Sequence, residues 1–180
     1  GLTEELEKLL NFADATGFRV FHNGDGAGAS IPNHEHWHLA DFEFAYETAG
    51  GLYGFEGSKC ERSRKTSNAF IMPDFPFAHL IFDQNNPESI VSFLRRLGNE
   101  IGHKFPNGSV PHIIYHGRQG ILVAPFKNCA NGRGLGSGDI AGHFVCGSEE
   151  EFLRATYEDC INRLEEVLFR KDEIDIEKFL

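Results

Sequence analysis

Hydrophobic residues recur every three or four positions in three segments of the chain, which is the spacing of an amphipathic helix. The first segment begins at Thr3, a favourable N-cap, and Gly17 is a suitable stop. The second begins where Asn86 precedes a proline, and the third where Ser148 opens a capping-box sequence. We therefore predict three helices, whose inward-facing residues are Leu6, Leu9, Leu10 and Ala13, then Ile90, Leu94, Leu97 and Ile101, and then Leu153, Tyr157, Ile161, Leu164 and Leu168.

Short apolar stretches bounded by glycine and polar residues predict strands between these helices. The first two surround a glycine-rich turn and are expected to pair antiparallel, and the last two flank a hairpin turn. Segments 47–68 and 131–138 are predicted to be loops. The order of elements indicates an α+β fold, an antiparallel β-sheet with flanking helices, in a single domain over residues 1–180. The predicted strands are 18–21, 33–44, 77–82, 111–115 and 121–124.

Composition narrows the classes of partner. The formal net charge is −10, which disfavours nucleic acid, although a few local donors can still hold a small anion. No apolar run reaches the roughly 18 residues of a membrane span. Four cysteines are scattered without a Cys-x-x-Cys pair, which is typical of reduced thiols in the cytoplasm. We therefore expect a cytoplasmic protein with a small-molecule ligand, no cofactor, no nucleic-acid partner and no membrane partner, and a homodimer is left open.

The most informative segment is the run His34-Glu35-His36-Trp37-His38 within the second predicted strand. Residues i, i+2 and i+4 share one face of a strand, so the three histidines line one face and Trp37 lies on the other. Three imidazoles on one face are not an ordinary core pattern, because a buried face needs apolar side chains. The alternative is a polar strand that faces solvent and carries its histidines without chemistry. The pattern favours a face that binds or transforms a ligand.

A glycine-rich turn directly precedes this strand. Gly24, Gly26 and Gly28 would allow backbone N–H groups to turn inward around an anion, and Asn23 and Ser30 add side-chain donors. Neutral imidazole, with a reference pKa of about 6.5, is abundant at cell pH and can attack phosphorus. It is also a good leaving group from a phosphoramidate, so a covalent intermediate can be passed to an acceptor. The turn and the strand together predict an anion site beside a nucleophilic histidine.

These residues resemble the motif of the histidine-triad superfamily, especially the branch with galactose-1-phosphate uridylyltransferase, dinucleoside tetraphosphate phosphorylase and GDP-hexose phosphorylases. The motif has Asn and Gly, then Gly-x-Ser, then His-x-His-x-His or His-x-His-x-Gln, and the matching residues are Asn23, Gly24, Gly28, Ser30, His34, His36 and His38. The resemblance implies a nucleotidyltransferase or phosphorylase that acts on an NDP-sugar or a dinucleoside polyphosphate through a covalent nucleotidyl-His36 intermediate. It further implies that Ser30 and His38 bind the phosphate and that His34 orients the site. By the same resemblance, Asn23 and the glycine turn would hold the nucleotide phosphates.

The resemblance divides the chain into a motif-bearing half, 1–46, and a region, 70–180, whose order of elements is similar to the second half of the phosphorylase branch. The third motif position is His38, as in the hydrolases of the superfamily, whereas the transferases usually carry Gln there. The acceptor therefore stays open among water, phosphate and a sugar phosphate. The family usually has several strands before the helix that begins this chain, which indicates a fragment, a rearranged site or a pocket completed by another chain.

Four further residues lie near the predicted hairpin or the glycine turn. Arg118 and Lys127 could donate charge-assisted hydrogen bonds to a substrate phosphate. The alternative, which also covers His116, is a solvated hairpin edge protected by charge. His22 either joins the site or faces water at the end of its strand.

Two other classes of function fit parts of the pattern. The spacing His34-x-His36 is known among metal ligands, and Asp41 or Glu43 could add a carboxylate, which resembles the first motif of the cupins. Metal analysis of the purified protein would separate this alternative from covalent catalysis. The other alternative is a nucleotide-binding domain without turnover.

Overall fold

The computed structural model describes residues 2–24, 27, 37–42, 61–66, 68–73, 75–83, 86–101, 112–117, 120–127, 135, 137–140 and 142–180. Five α-helices occur in these residues, and a 3₁₀ helix, Ile176–Phe179, lies near the end of the chain. The helices are α1 (Leu2–Thr16), α2 (Pro87–Ile101), α3 (Ser137–Ile140), α4 (Glu149–Arg154) and α5 (Tyr157–Glu165). The strands are β1 (Arg19–Asn23), β2 (Trp37–Ala40), β3 (Glu61–Arg62), β4 (Ala69–Ile71), β5 (Leu80–Phe82), β6 (His112–Gly117) and β7 (Gly120–Pro125).

The strands form one sheet, which has seven members in the part of the chain described. Their order is β2-β1-β6-β7-β5-β4-β3, and each neighbouring pair is antiparallel. The predicted α+β fold, an antiparallel sheet with flanking helices, is therefore confirmed. The predicted pairing of the first two strands is also confirmed, since β1 and β2 are hydrogen-bonded neighbours.

One side of the sheet, called the helix face below, is covered by α1, α2 and the 3₁₀ helix. Apolar side chains from these helices bury alternate residues of the central strands, including Ile114, Ile121 and Val123. Full burial of one such side chain stabilises the fold by about 1.5–3 kcal/mol. The covering residues are Leu6, Leu10, Ile90, Val91, Phe93, Leu94, Leu97, Ile101, Ile176 and Phe179.

The opposite side of the sheet, called the front face, carries a second core. Here Ile113, Tyr115 and Leu122 of the central strands pack against residues from the loops and from the last third of the chain. Since strand residues alternate between faces, the two cores draw on the two alternating sets of side chains in β6 and β7. The covering residues include Met72, Phe75, Phe77, Leu135, Ile140, Leu164, Val167 and Leu168.

The first two helices follow the predicted pattern. The chain leaves α1 at Gly17, whose φ of 76° suits glycine, and the Gly17 N–H donates to the Ala13 carbonyl at 2.8 Å. The Asn86 side chain accepts a hydrogen bond from the Ser89 N–H at 3.1 Å, as expected of an N-cap before Pro87. The one difference is that Thr3 lies inside α1, which already begins at Leu2.

The third predicted helix is wrong in its extent. Ser148 does cap a helix, accepting from the Glu151 N–H at 3.1 Å, but that helix ends at Arg154. Thr156 then starts α5 with a complete capping box that includes Asp159. The break turns Leu153 and Tyr157 outward, and their exposed fractions are 74% and 58%. Within the helix the inward stripe therefore holds only for Leu164, which is fully buried, and in part for Ile161. Leu168 is also fully buried, but it lies beyond the end of α5 and forms a β-bridge with Phe126.

Smaller differences concern the hairpin and the predicted loops. The β6–β7 hairpin is confirmed, but His116 belongs to β6 rather than to the turn. The short strand β3 lies within the predicted loop 47–68, and α3 begins within the predicted loop 131–138 and continues beyond it. Both described cysteines, Cys146 and Cys160, are free, and burial raises the pKa of the Cys160 thiol. No helix among the described ranges is both long enough and apolar enough to cross a membrane.

Candidate active site

The edge of the sheet formed by β1 and β2 places His38 on the front face. His38 is opposite Phe21 in the antiparallel register, and their rings stack at a centroid distance of 4.8 Å and an angle of 6°. Phe21 in turn stacks on Tyr115 of β6 at 6.4 Å. Because side chains alternate along β1, Asn23 lies on the same face as Phe21 and therefore on the face of His38. The front face thus brings one imidazole and one amide side chain to neighbouring strands.

The predicted alternation holds for the described part of the histidine strand, since Trp37 and His38 lie on opposite faces. The remaining motif residues, His34, His36, Ser30 and Gly28, lie outside the described residues. Their placement beside His38 stays a prediction.

The two described residues of the glycine turn are held by backbone hydrogen bonds. The Gly24 N–H donates to the His112 carbonyl at 2.8 Å, and the Ala27 N–H donates to the Gly24 carbonyl at 2.9 Å. Ala27 is fully buried in the front-face core. These two amide hydrogens are occupied within the protein, whereas the sequence predicted that amides of this turn would surround an anion. The assignment of Gly24 to substrate binding stays a prediction.

Behind the candidate site, on the helix face, three rings lie in a row, which we call the back-face stack: Trp37, His22 and His112. Trp37 stacks on His22 at 4.5 Å, and His22 lies 5.9 Å from His112 at an angle of 48°. His22 is only 3% exposed. Both interpretations of His22 are therefore wrong: it neither joins the face of His38 nor faces water, because its position in β1 has the opposite parity to Phe21.

His116 is also buried on the helix face and does not lie at a solvated edge. It is 5% exposed, on a central strand, and its Nε2 lies 3.5 Å from Asp14 Oδ1 of α1. The predicted hairpin edge is therefore wrong for this residue, since β6 has neighbours on both sides.

Of the two cations expected to reach a phosphate, only Lys127 is described. Its ammonium donates to both carboxylate oxygens of Glu173 at 3.1 Å. The backbone N–H of Arg170 and, to a smaller extent, Lys127 lower the pKa of Glu173, so this partner is held in its charged form. Lys127 thus has a structural partner, and its role with substrate stays a prediction, as does that of Arg118, which lies outside the described residues.

The metal-binding alternative stays untested. Among the described residues, no three His, Cys, Asp or Glu side chains are arranged to hold a metal ion. The ligands proposed for it, His34, His36 and Glu43, lie outside those residues, and Asp41 is exposed.

Sequence reasoning missed two residues near the site. His112 contacts the glycine turn, and its spacing with His116 on one face of a strand was the available signal. Asp139, a carboxyl group only 3% exposed, belongs to α3, which lies against β1 and β6. Its glycine-rich surroundings gave no helical signal.

Comparison with known proteins shows which fold this chain shares with solved structures. No family model and no curated protein matches the sequence. Among solved structures, yeast Ap4A phosphorylase Apa2 in complex with AMP matches with a TM-score of 0.62 and 16% identity, covering 93% of this chain and 63% of that chain. A second structure of yeast Ap4A phosphorylase Apa2 matches with a TM-score of 0.55 and 15% identity, covering 100% of this chain and 61% of that one. The predicted resemblance to the phosphorylase branch is confirmed at the level of the fold, and this chain spans about three fifths of the phosphorylase's length.

Proposed function

We propose that this protein transfers a nucleotidyl group from a dinucleoside polyphosphate or an NDP-sugar, through a covalent intermediate on His36. The observation that carries the proposal is the register of β1 and β2, which sets His38 beside Phe21 and on the face of Asn23. The proposal extends this register by one pair, which would set His36 opposite Asn23. The fold shared with yeast Ap4A phosphorylase Apa2 supports the same assignment.

The chemistry needs a nucleophile, a leaving group and donors for the phosphate oxygens. A nitrogen lone pair of His36 would form an N–P bond while the P–O bond to the departing phosphate chain breaks, and that oxygen keeps the electron pair. An acceptor oxygen then attacks phosphorus, the N–P bond breaks, and the imidazole recovers its lone pair. With Ap4A as donor and phosphate as acceptor, the products are ATP in the first step and ADP in the second.

The described side chains support the phosphate-binding part of this scheme. His38 and Asn23 can both donate hydrogen bonds to non-bridging phosphate oxygens, whose charge grows in the transition state. The stack of His38 on Phe21 restricts rotation of the imidazole, so its N–H is held in place before substrate binds. This pre-organisation is the contribution we assign to the pair of rings.

A second function, hydrolysis, differs from the first in the acceptor of the nucleotidyl group. The third motif residue is His38, the residue found in the hydrolases of the superfamily, and this favours water as an acceptor. A hydrolase and a phosphorylase would share the nucleotidyl-His36 intermediate and differ only in its second step.

The test is intact-mass analysis after incubation with Ap4A in the absence of phosphate. We expect the wild type to gain the mass of one AMP residue, and the His36→Ala variant to gain nothing. Adding phosphate should discharge the adduct as ADP, whereas discharge as AMP without phosphate would support the hydrolase. Matched incubations with ADP-glucose and GDP-mannose distinguish an NDP-sugar donor from a dinucleoside polyphosphate.

Two results would contradict the proposal. One is a wild-type protein that turns over or binds these nucleotides without ever forming an adduct that requires His36. The other is stoichiometric iron, manganese or zinc in the purified protein with activity that depends on it, which would favour the metal-binding alternative. The His38→Gln variant is the matched control, because glutamine keeps a hydrogen-bond donor and should retain adduct formation.

A further inference from the structure

The back-face stack connects the two parts of the candidate site that the sequence separates. Trp37 follows His36 directly in the chain, and Gly24 opens the glycine turn. Between them lie His22, stacked on Trp37 at 4.5 Å, and His112, whose ring centroid is 5.9 Å from that of His22. The row of rings therefore runs from the histidine strand, across β1, to the start of the turn.

Contact between His112 and Gly24 is closer than any side chain on Gly24 would allow. A Cβ atom built on Gly24 would lie 2.6 Å from Cε1 and 2.7 Å from Nδ1 of the His112 ring. Gly24 is not among the described glycines with positive φ, so its backbone is open to an L residue. The imidazole of His112 is thus the obstacle to a side chain at this position.

The same residue also holds the turn through its backbone. The His112 carbonyl accepts the Gly24 N–H at 2.8 Å, and the Gly24 carbonyl accepts the Ala27 N–H at 2.9 Å. A movement of the His112 ring would therefore displace both of its neighbours, Gly24 and the ring of His22. Packed interiors respond to such a displacement by shifting their neighbours, because they contain few voids to absorb it.

We propose that His112 is a positioning residue, whose ring sets the distance between the glycine turn and the histidine strand. This inference rests on the proposed function, in which the turn holds the phosphates and the strand carries the nucleophile. This role depends on the shape and position of the imidazole ring. A displacement of the turn by about 1 Å relative to His36 is enough to cost up to about 100-fold in rate.

The experiment is a double-mutant cycle with Gly24→Ala, His112→Ala and the double variant. Gly24→Ala forces its new methyl group against the ring, so we expect kcat for Ap4A to fall at least about tenfold with KM changed less than about threefold. His112→Ala removes the obstacle, so the double variant should be more active than Gly24→Ala alone. The matched control is Gly138→Ala on α3, where the new Cβ would lie 3.7 Å from the nearest atom, the His143 carbonyl oxygen. This control should retain wild-type kcat.

A second readout does not need activity. Trp37 is the sole tryptophan of the chain, and its emission reports the surroundings of the back-face stack. We expect Gly24→Ala and His112→Ala each to shift this emission, the double variant to differ from Gly24→Ala, and Gly138→Ala to match the wild type. If Gly24→Ala does not fold, the comparison of His112→Ala with the wild type carries the same test.

The outcomes separate the two proposals. Additive losses of kcat, with a double variant less active than Gly24→Ala and an unchanged Trp37 emission in His112→Ala, would overturn the positioning role. If the wild type forms no nucleotidyl adduct while the Trp37 emission of the variants shifts as described, the proposed function would be overturned and the mechanical coupling would stand.

Discussion

The buried ring of His79 allows a quantitative test of the front-face core. Its Nε2 accepts the Met72 N–H at 2.8 Å, and its Nδ1 donates to the Phe77 carbonyl at 2.8 Å. These partners require the neutral tautomer with its hydrogen on Nδ1, because a proton on Nε2 would break the bond from Met72. Burial of the ring lowers the pKa of His79 from 6.5 to about 4. The folded protein therefore excludes a proton that the unfolded chain accepts.

The sign and the size of the effect follow from this difference. Below a pH of about 6.5 the unfolded chain is protonated at His79 and the folded protein is not. The free energy of unfolding therefore decreases as the pH is lowered. The fall ends near the folded pKa of about 4. Since one pKa unit corresponds to about 1.4 kcal/mol, lowering the pH from about 7.5 to about 5 should cost about 2 kcal/mol through His79.

Urea unfolding at both pH values measures this cost, followed by circular dichroism and by the emission of Trp37. We expect the loss between the two pH values to be about 2 kcal/mol smaller in His79→Gln than in the wild type. The matched control is Phe75→Leu, because the Phe75 ring lies at 85° to the ring of His79 with a centroid distance of 4.8 Å. This variant should lose about 1 kcal/mol or more at both pH values and keep the wild-type difference between them. An equal pH dependence in His79→Gln and the wild type would refute the assignment of a neutral, buried ring.

Two further predictions concern the last third of the chain. Thr156→Ala removes the N-cap of α5, so the Asp159 N–H loses its acceptor. This variant should lower the free energy of unfolding, measured by urea titration, by about 1 kcal/mol. The control Thr16→Ala, at the end of α1, should lower it by less. Lys127→Met and Glu173→Gln should each cost less than about 1 kcal/mol in the free energy of unfolding, since their ion pair is partly exposed. An equal KM for Ap4A in the two variants would make Lys127 a structural partner of Glu173 alone. A KM raised only in Lys127→Met would instead show that Lys127 binds substrate.

The helices and strands that the sequence predicted well are those in which the local sequence signals agree with one another. In α2, a cap, a first-turn proline and an apolar stripe point to one helix, and no other part of the fold opposes them. The long third helix failed because two signals compete within it. The apolar stripe continues through residue 155, but Thr156 and Asp159 form a second capping box, and the cap prevails. Both residues of this second cap are visible in the sequence, so the helix boundary has a local signal there.

Other elements could not be predicted because their causes are not local. The four residues of α3 lie in a glycine-rich segment, and their helix is supported by contact with β1 and β6 rather than by propensity. The candidate site shows the same division. Alternation along one strand correctly separates His38 from Trp37, because it depends only on strand geometry. The meeting of His22 with His112 depends on the pairing of β1 with β6, which are distant in sequence.

The face on which His38 lies is itself a consequence of packing on the other side of the sheet. Trp37 packs against the helix-face core and stacks on His22, which is almost fully buried. A slip of β2 by one residue would move Trp37 to the front face and His38 to the helix face, since the side-chain period of a strand is two. The apolar surface of the indole opposes that slip, because Trp37 is partly buried against the helix-face core and would lose that contact. The position of the His38 imidazole is therefore determined by hydrophobic contacts on the opposite face of the sheet.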